Sequence, residues 1–202
     1  ASLPALFLLK GVEDIKFNIS LIESLKKLRG LRAILFLEGL IEAVPFTIIP
    51  VVTLFFIKTP INLGIFSSYL AVLSFSGNIL FGKISDKFRN RKIFVYIFPM
   101  LLALSVIGLG FSENLYLWGI FSGLVGFFLS LSWPFMTALV VDVYPDARQT
   151  MVPREFILNF GRLVGVIVFT LIFLIFNNPY PAIITLGLLC LSYPFLVKVK
   201  NI

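Results

Sequence analysis

Gly82-Lys83-Ile84-Ser85-Asp86-Lys87-Phe88-Arg89-Asn90-Arg91-Lys92 is the most charged stretch of the chain, and it sits between two long apolar runs. Five of its eleven residues are basic and one is acidic. A basic cluster of this kind answers the negative end of a helix and an anionic lipid surface. Outward from it the charge disappears. The chain is 59% apolar and 13% charged, with 23 Phe among 202 residues, against roughly 45–50% apolar and about 25% charged in an average soluble domain. A water-soluble globule of this size cannot hide so much apolar surface, so lipid is the solvent for most of it.

Crossing the hydrocarbon core takes roughly 20 apolar residues as helix. Six runs approach this length, at 33–57, 62–81, 93–111, 115–141, 155–176 and 182–197. The segments between them alternate in character. Fifteen of the 17 basic residues lie in residues 10–32, the 82–92 loop, Arg148 and Arg154 of the fourth connection, and Lys198 and Lys200. Lys58 alone lies on the other side, and Arg162 falls within the fifth run. Basic residues stay cytoplasmic, so both termini are expected on the cytoplasmic side of the cell membrane. The net charge of +7 therefore reports orientation rather than nucleic-acid binding.

The absence of histidine removes Ser-His nucleophile pairs, His proton relays and His-containing metal sites. Cys190 stands among leucines as an apolar thiol. No cofactor and no enzymatic activity are expected.

The 82–92 loop resembles the signature loop of the major facilitator superfamily, in which a glycine ends a helix, an aspartate follows four residues later and a basic cluster leads into the next helix. Gly82, Asp86, Lys87, Arg91 and Lys92 match that pattern, while Arg89 stands where the family usually has a second glycine. By this resemblance the loop gates the cytoplasmic ends of the helices, with Asp142, at the end of the fourth run, as an acidic partner. The resemblance also implies a C-terminal six-helix half, built as two inverted three-helix repeats, with the N-terminal half absent. Residues 1–9 then read as the end of a preceding helix. Residues 10–32 read as a cytoplasmic linker, with Ile15, Ile19, Ile22, Leu25 and Leu28 at the spacing of an amphipathic helix, and residues 33–202 as the half-domain.

Ionisable groups at membrane depth are costly and mark candidate sites. Glu38 and Glu42 are four apart and share one helix face, about 8 and 14 Å from the helix start; Arg162, three residues beyond Asn159, lies about 12 Å into its own helix. The expectation is a buried ion pair between Arg162 and Glu42 or Glu38, with the other acid left over to carry a proton. For Glu38 the alternative is an anchoring pair with Arg29 or Arg32. The spacings Gly119/Gly123 and Gly161/Gly165 suit close helix packing. Pro45, Pro50 and Pro134 are expected to bend their helices. Together these features point to secondary transport of a small solute by alternating access, with export and an amphipathic or hydrophobic solute favoured and proton coupling as an option the spare carboxyl offers. The alternatives are a permease or assembly subunit of a larger complex and, behind it, a membrane-embedded enzyme.

Overall fold

The computed structural model describes residues 25–26, 28–87, 92–144 and 147–199, with the backbone alone at 84–87, 92, 147–149 and 198–199. Every long element among them is a helix. The helices are α1 (Arg32–Phe56), α2 (Pro60–Lys87), α3 (Lys92–Leu109), α4 (Leu115–Val143), α5 (Ala147–Phe176), α6 (Pro179–Cys190) and α7 (Ser192–Val199). Five stretches are long and apolar enough to cross a membrane, the last formed by α6 and α7 together. The apolar part of α3, Ile93–Leu109, is shorter, at about 26 Å of helix.

Local chemistry explains where the helices start and break. In α1 the stretch Val44–Ile48 is π-helical, and the Ile49 N–H reaches back five residues to the Val44 carbonyl. Pro45 has no N–H to give the preceding turn, and the wider turn accommodates it without ending the helix. The Asn114 side chain caps α4 by accepting from the Leu117 N–H at 2.9 Å, and Asn178 caps α6 by accepting from the Tyr180 N–H at 2.9 Å. Asn177 before it takes the left-handed conformation, φ 49°. The break between α6 and α7 falls at Leu191, three residues before Pro194, whose missing N–H would have bonded the Cys190 carbonyl.

Two boundaries differ from the sequence expectation. Gly82 does not end α2, which runs on to Lys87; none of the described glycines has a positive φ, so the left-handed turn that stops a helix at glycine is not made here. The fifth helix begins at Ala147 rather than 155, carrying Pro153 inside it. Pro134 likewise lies within an unbroken α4.

The most extensive helix contacts are those of α1 with α5, α2 with α4 and α3 with α4, and glycines bring the first two pairs to backbone contact. In the first, a Cβ on Gly39 would meet the Leu158 carbonyl, and one on Gly161 would meet the Phe36 carbonyl and the Gly39 Cα. The register, with Gly39 at Leu158 and Ala43 at Gly165, makes the two helices parallel. In the second pair a Cβ on Gly77 would stand 2.7 Å from the Phe127 carbonyl. Helix α3 fills the space between α4 and α6, where Phe81, Phe94 and Phe98 cluster on buried Phe135 with ring centroids 5.0 to 5.8 Å from it. Without a solvent-driven force between helices in lipid, such close backbone approach supplies the dispersion that holds a bundle together.

Gly161→Leu should therefore force α1 and α5 apart and lower stability by about 1–3 kcal/mol, the usual cost of overpacking. Gly64→Ala, where an added Cβ meets nothing within 4 Å, should leave stability equal or slightly raised. Thermal unfolding of the two variants in detergent compares them directly.

Candidate functional site

The α1–α5 contact carries the charges at membrane depth. Arg162 donates from Nε to Glu42 Oε2 at 2.8 Å and from Nη2 to the same oxygen, while its Nη1 donates to Asn159 Oδ1 at 2.8 Å. Asn159 is fixed in turn by donating from Nδ2 to the Glu155 carbonyl at 2.9 Å. The Arg162 guanidinium also stands 5.7 Å from the centre of the Phe46 ring, in cation–π geometry. Glu42 is only 1% exposed, against 29% for Arg162.

Glu38 has a partner the sequence reading missed. Arg154 donates from Nη2 to Glu38 Oε1 at 2.6 Å, from the same nitrogen to Thr137 Oγ1 at 3.1 Å, and from Nη1 to Glu155 Oε1 at 2.7 Å. Arg154 and Glu38 are 3% and 1% exposed. Taken as the opening of its helix, Arg154 was expected at the surface; with α5 beginning at Ala147 it stands two turns in and faces α1. Neither carboxylate is thus left without an arginine, which corrects the expectation of one surplus acid. Arg32, considered as a partner for Glu38, instead donates to the Leu25 carbonyl at 2.6 and 3.0 Å. Spacing alone does not suggest this pairing: eight residues separate Arg154 from Arg162 and only four separate the two acids, and the long arginine side chains make up the difference.

The two pairs differ in what surrounds them. Glu38 Oε2, Arg154 Nε and the Tyr193 hydroxyl are buried with no hydrogen-bond partner among the described residues. Glu42 instead borders a cavity of about 360 Å³ between α1, α2 and α4, whose other walls include Phe46, Ser74, Asn78, Ser122 and Trp133. Trp133 also borders a second, more open cleft between α4 and α5, lined by Thr137, Asp142, Arg154 and Glu155. Asp142 is exposed there. Of the gating-loop residues, Gly82 lies within α2 with open space beside it; Arg91 and the side chains of Asp86, Lys87 and Lys92 lie outside the described residues, as do residues 1–24. Trp133 stands at the cavity, whereas Phe135, two residues on, is buried in the core.

Among known families, the model described as Major Facilitator Superfamily matches residues 33–200, which takes in the helical bundle from the second residue of α1 to the end of α7. No curated protein matches the chain.

Arg154→Met leaves the Glu38 carboxylate buried without its cation and should cost about 3–5 kcal/mol, the usual effect of breaking a buried pair from one side. Removing both charges together, Glu38→Met with Arg154→Met, should recover most of that loss. A double-mutant cycle on unfolding in detergent reads the difference, and a double variant as unstable as the single one would contradict the pairing.

Proposed function

The chain belongs to the major facilitator superfamily, and from that premise we propose that it moves its solute by alternating access across the cell membrane, with the α1–α2–α4 cavity as this chain's share of the transport path. Membership implies membrane transport of small solutes. The observation that carries the more detailed reading is the position of Glu42, a buried carboxylate that is tied to an arginine on one side and open to a cavity on the other. Such a group can exchange a proton with the cavity while the arginine keeps it oriented. Glu42 is therefore the proton-coupling carboxylate in this reading, Arg162 and Asn159 set its geometry, and Glu38 with Arg154 joins the helices behind it.

Several features support the architecture. The first and fifth helices form one close pair and the second and fourth the other. Exchanging the first three helices with the last three converts one pair into the other, as two inverted three-helix repeats require. Bases concentrated at one set of helix ends support cytoplasmic termini, with residues 1–9 as the end of an earlier helix and 10–32 as a linker from an N-terminal half. In this arrangement Gly82, Asp86, Lys87, Arg91 and Lys92 form the cytoplasmic gate, with Asp142 at the same level. The mixed wall of aromatic and small polar groups suits an amphipathic solute, and export is the direction favoured for such molecules, since they enter membranes unaided.

The test is solute-dependent collapse of an imposed pH gradient, measured with the full-length protein in proteoliposomes across a panel of small solutes. Glu42→Gln should abolish the collapse while leaving downhill solute exchange in place. Undiminished proton movement in that variant would remove Glu42 from the coupling step.

A further inference from the structure

The α1–α2–α4 cavity has a chemistry more specific than its share of the path requires. Among the described residues its lining contains one carboxylate and no cationic side chain. Both bonds from Arg162 go to Glu42 Oε2, the rest of the guanidinium is turned to Asn159 and the Phe46 ring, and the Glu42 side chain borders the cavity. Ser122 adds a second feature. Buried serines in lipid-facing helices normally donate to the carbonyl one turn back, as Ser105, Ser112, Ser130 and Ser132 do here. The Ser122 hydroxyl is buried, belongs to a residue that lines the cavity and has no hydrogen-bond partner among the described residues. A buried hydroxyl left unpaired is costly, and a ligand group that satisfies it recovers that cost.

We propose that this cavity recognises an amphipathic organic ammonium ion, whose N–H groups bond the Glu42 carboxylate and Ser122 Oγ while its apolar body lies against Phe46 and Trp133. The inference rests on the reading of the cavity as part of the transport path and adds the charge and hydrogen-bonding class of the solute. Sign decides against an anion, which would meet the carboxylate with no cation on the wall to offset it. The aromatic rings favour an ammonium over a neutral head, since ring faces attract cations. The protein already uses this combination once: Glu42 and Phe46 together hold the Arg162 guanidinium. That neighbouring positive charge opposes the ligand's and keeps the affinity moderate, which suits a site that must also release. A volume of about 360 Å³ lies toward the small end of ligand sites, roughly 300–1,000 Å³, and fits one aromatic amine.

The experiment titrates the full-length protein in detergent, by calorimetry, with three probes that share one aromatic body: 2-phenylethylammonium, 2-phenylethanol and phenylacetate. The ammonium should bind at least about tenfold tighter than the alcohol, with phenylacetate weakest. Ser122→Ala should weaken ammonium binding by about 3- to 10-fold, the effect of one hydrogen bond, without lowering the melting temperature of the ligand-free protein, because that hydroxyl bonds nothing among the described residues. Glu42→Gln should remove the preference for the charged probe; where that variant misfolds, Ser122→Ala carries the decision. Equal binding of the alcohol or phenylacetate, or unchanged affinity in Ser122→Ala, overturns the proposal. Flux assays with the same probes separate it from the transport reading. Ammonium that binds but never crosses vesicles ends that reading and leaves the recognition standing, whereas flux of phenylacetate without ammonium does the reverse.

Discussion

Two carboxylates on one face of α1 cannot stand in hydrocarbon without cations beside them, and the whole arrangement of α1 against α5 answers that constraint. Glu38 and Glu42 present a row that the two arginines of α5 satisfy, Arg154 at Glu38 and Arg162 at Glu42. The arginines reach because the helices touch: Gly39 and Gly161 bring the backbones to a separation at which no other residue would fit. The charges and the glycines are one device. Glycine alone would give a tight pair with no fixed register, and the ion pairs alone would have to span a wider gap with longer, less ordered side chains. Two pairs at different heights on parallel helices also set rotation and translation together, since sliding α5 by one turn would move both arginines away from both acids.

That device has a consequence for α4. Arg154 has more donors than Glu38 can accept, and it spends another on Thr137. The bond ties α4 to the α1–α5 pair at the level of Trp133 and Pro134, one turn earlier in the same helix. Helix α4 is held to α2 by the second close pair, so the cavity between α1, α2 and α4 is bounded by elements fixed on two sides. Its polar groups are presented by helices rather than loops, and the π-helical turn at Val44–Ile48 lies beside it, turning Pro45, Phe46 and Ile49 to its wall. Wider turns of this kind recur at functional positions because they re-aim side chains without ending the helix.

Much of this was legible in the sequence. The six apolar runs follow from composition, because hydrocarbon leaves the backbone no choice but helix. The meeting of Glu42 and Arg162 could be anticipated from their depth along two helices that start on the same side. Arg154 was not legible in the same way. Pro153-Arg154-Glu155 reads as a helix start, with proline at its first position and an acid in its first turn. Proline in the first turns costs only one hydrogen bond, so the helix could equally begin earlier, and tertiary contact with Glu38 selects the longer form. Gly82 misled for the mirrored reason. A glycine permits a left-handed stop without demanding one, and nothing local distinguishes the two outcomes. Ser122 was invisible because a serine in a transmembrane run ordinarily bonds its own helix, and only the three-dimensional surroundings reveal that this one does not.

The two acids, equivalent in sequence, are separated by what lies beyond them. Glu38 faces a buried cluster in which one of its own oxygens, an arginine nitrogen and the Tyr193 hydroxyl all lack partners, and its arginine is shared with the half-exposed Glu155. Its bond through Oε1 comes from an arginine that is itself tied to Thr137 and Glu155. Glu42 is bonded to one arginine, through Oε2, and borders a cavity. A carboxylate that must change partners during a transport cycle needs a stable position and an accessible face at once. Of the two, only Glu42 has both, because its neighbour four residues earlier anchors the helix face on which it sits. The pairing that looks redundant, two acids and two arginines between the same helices, is under the proposed function one fixed pair that leaves the other beside the cavity.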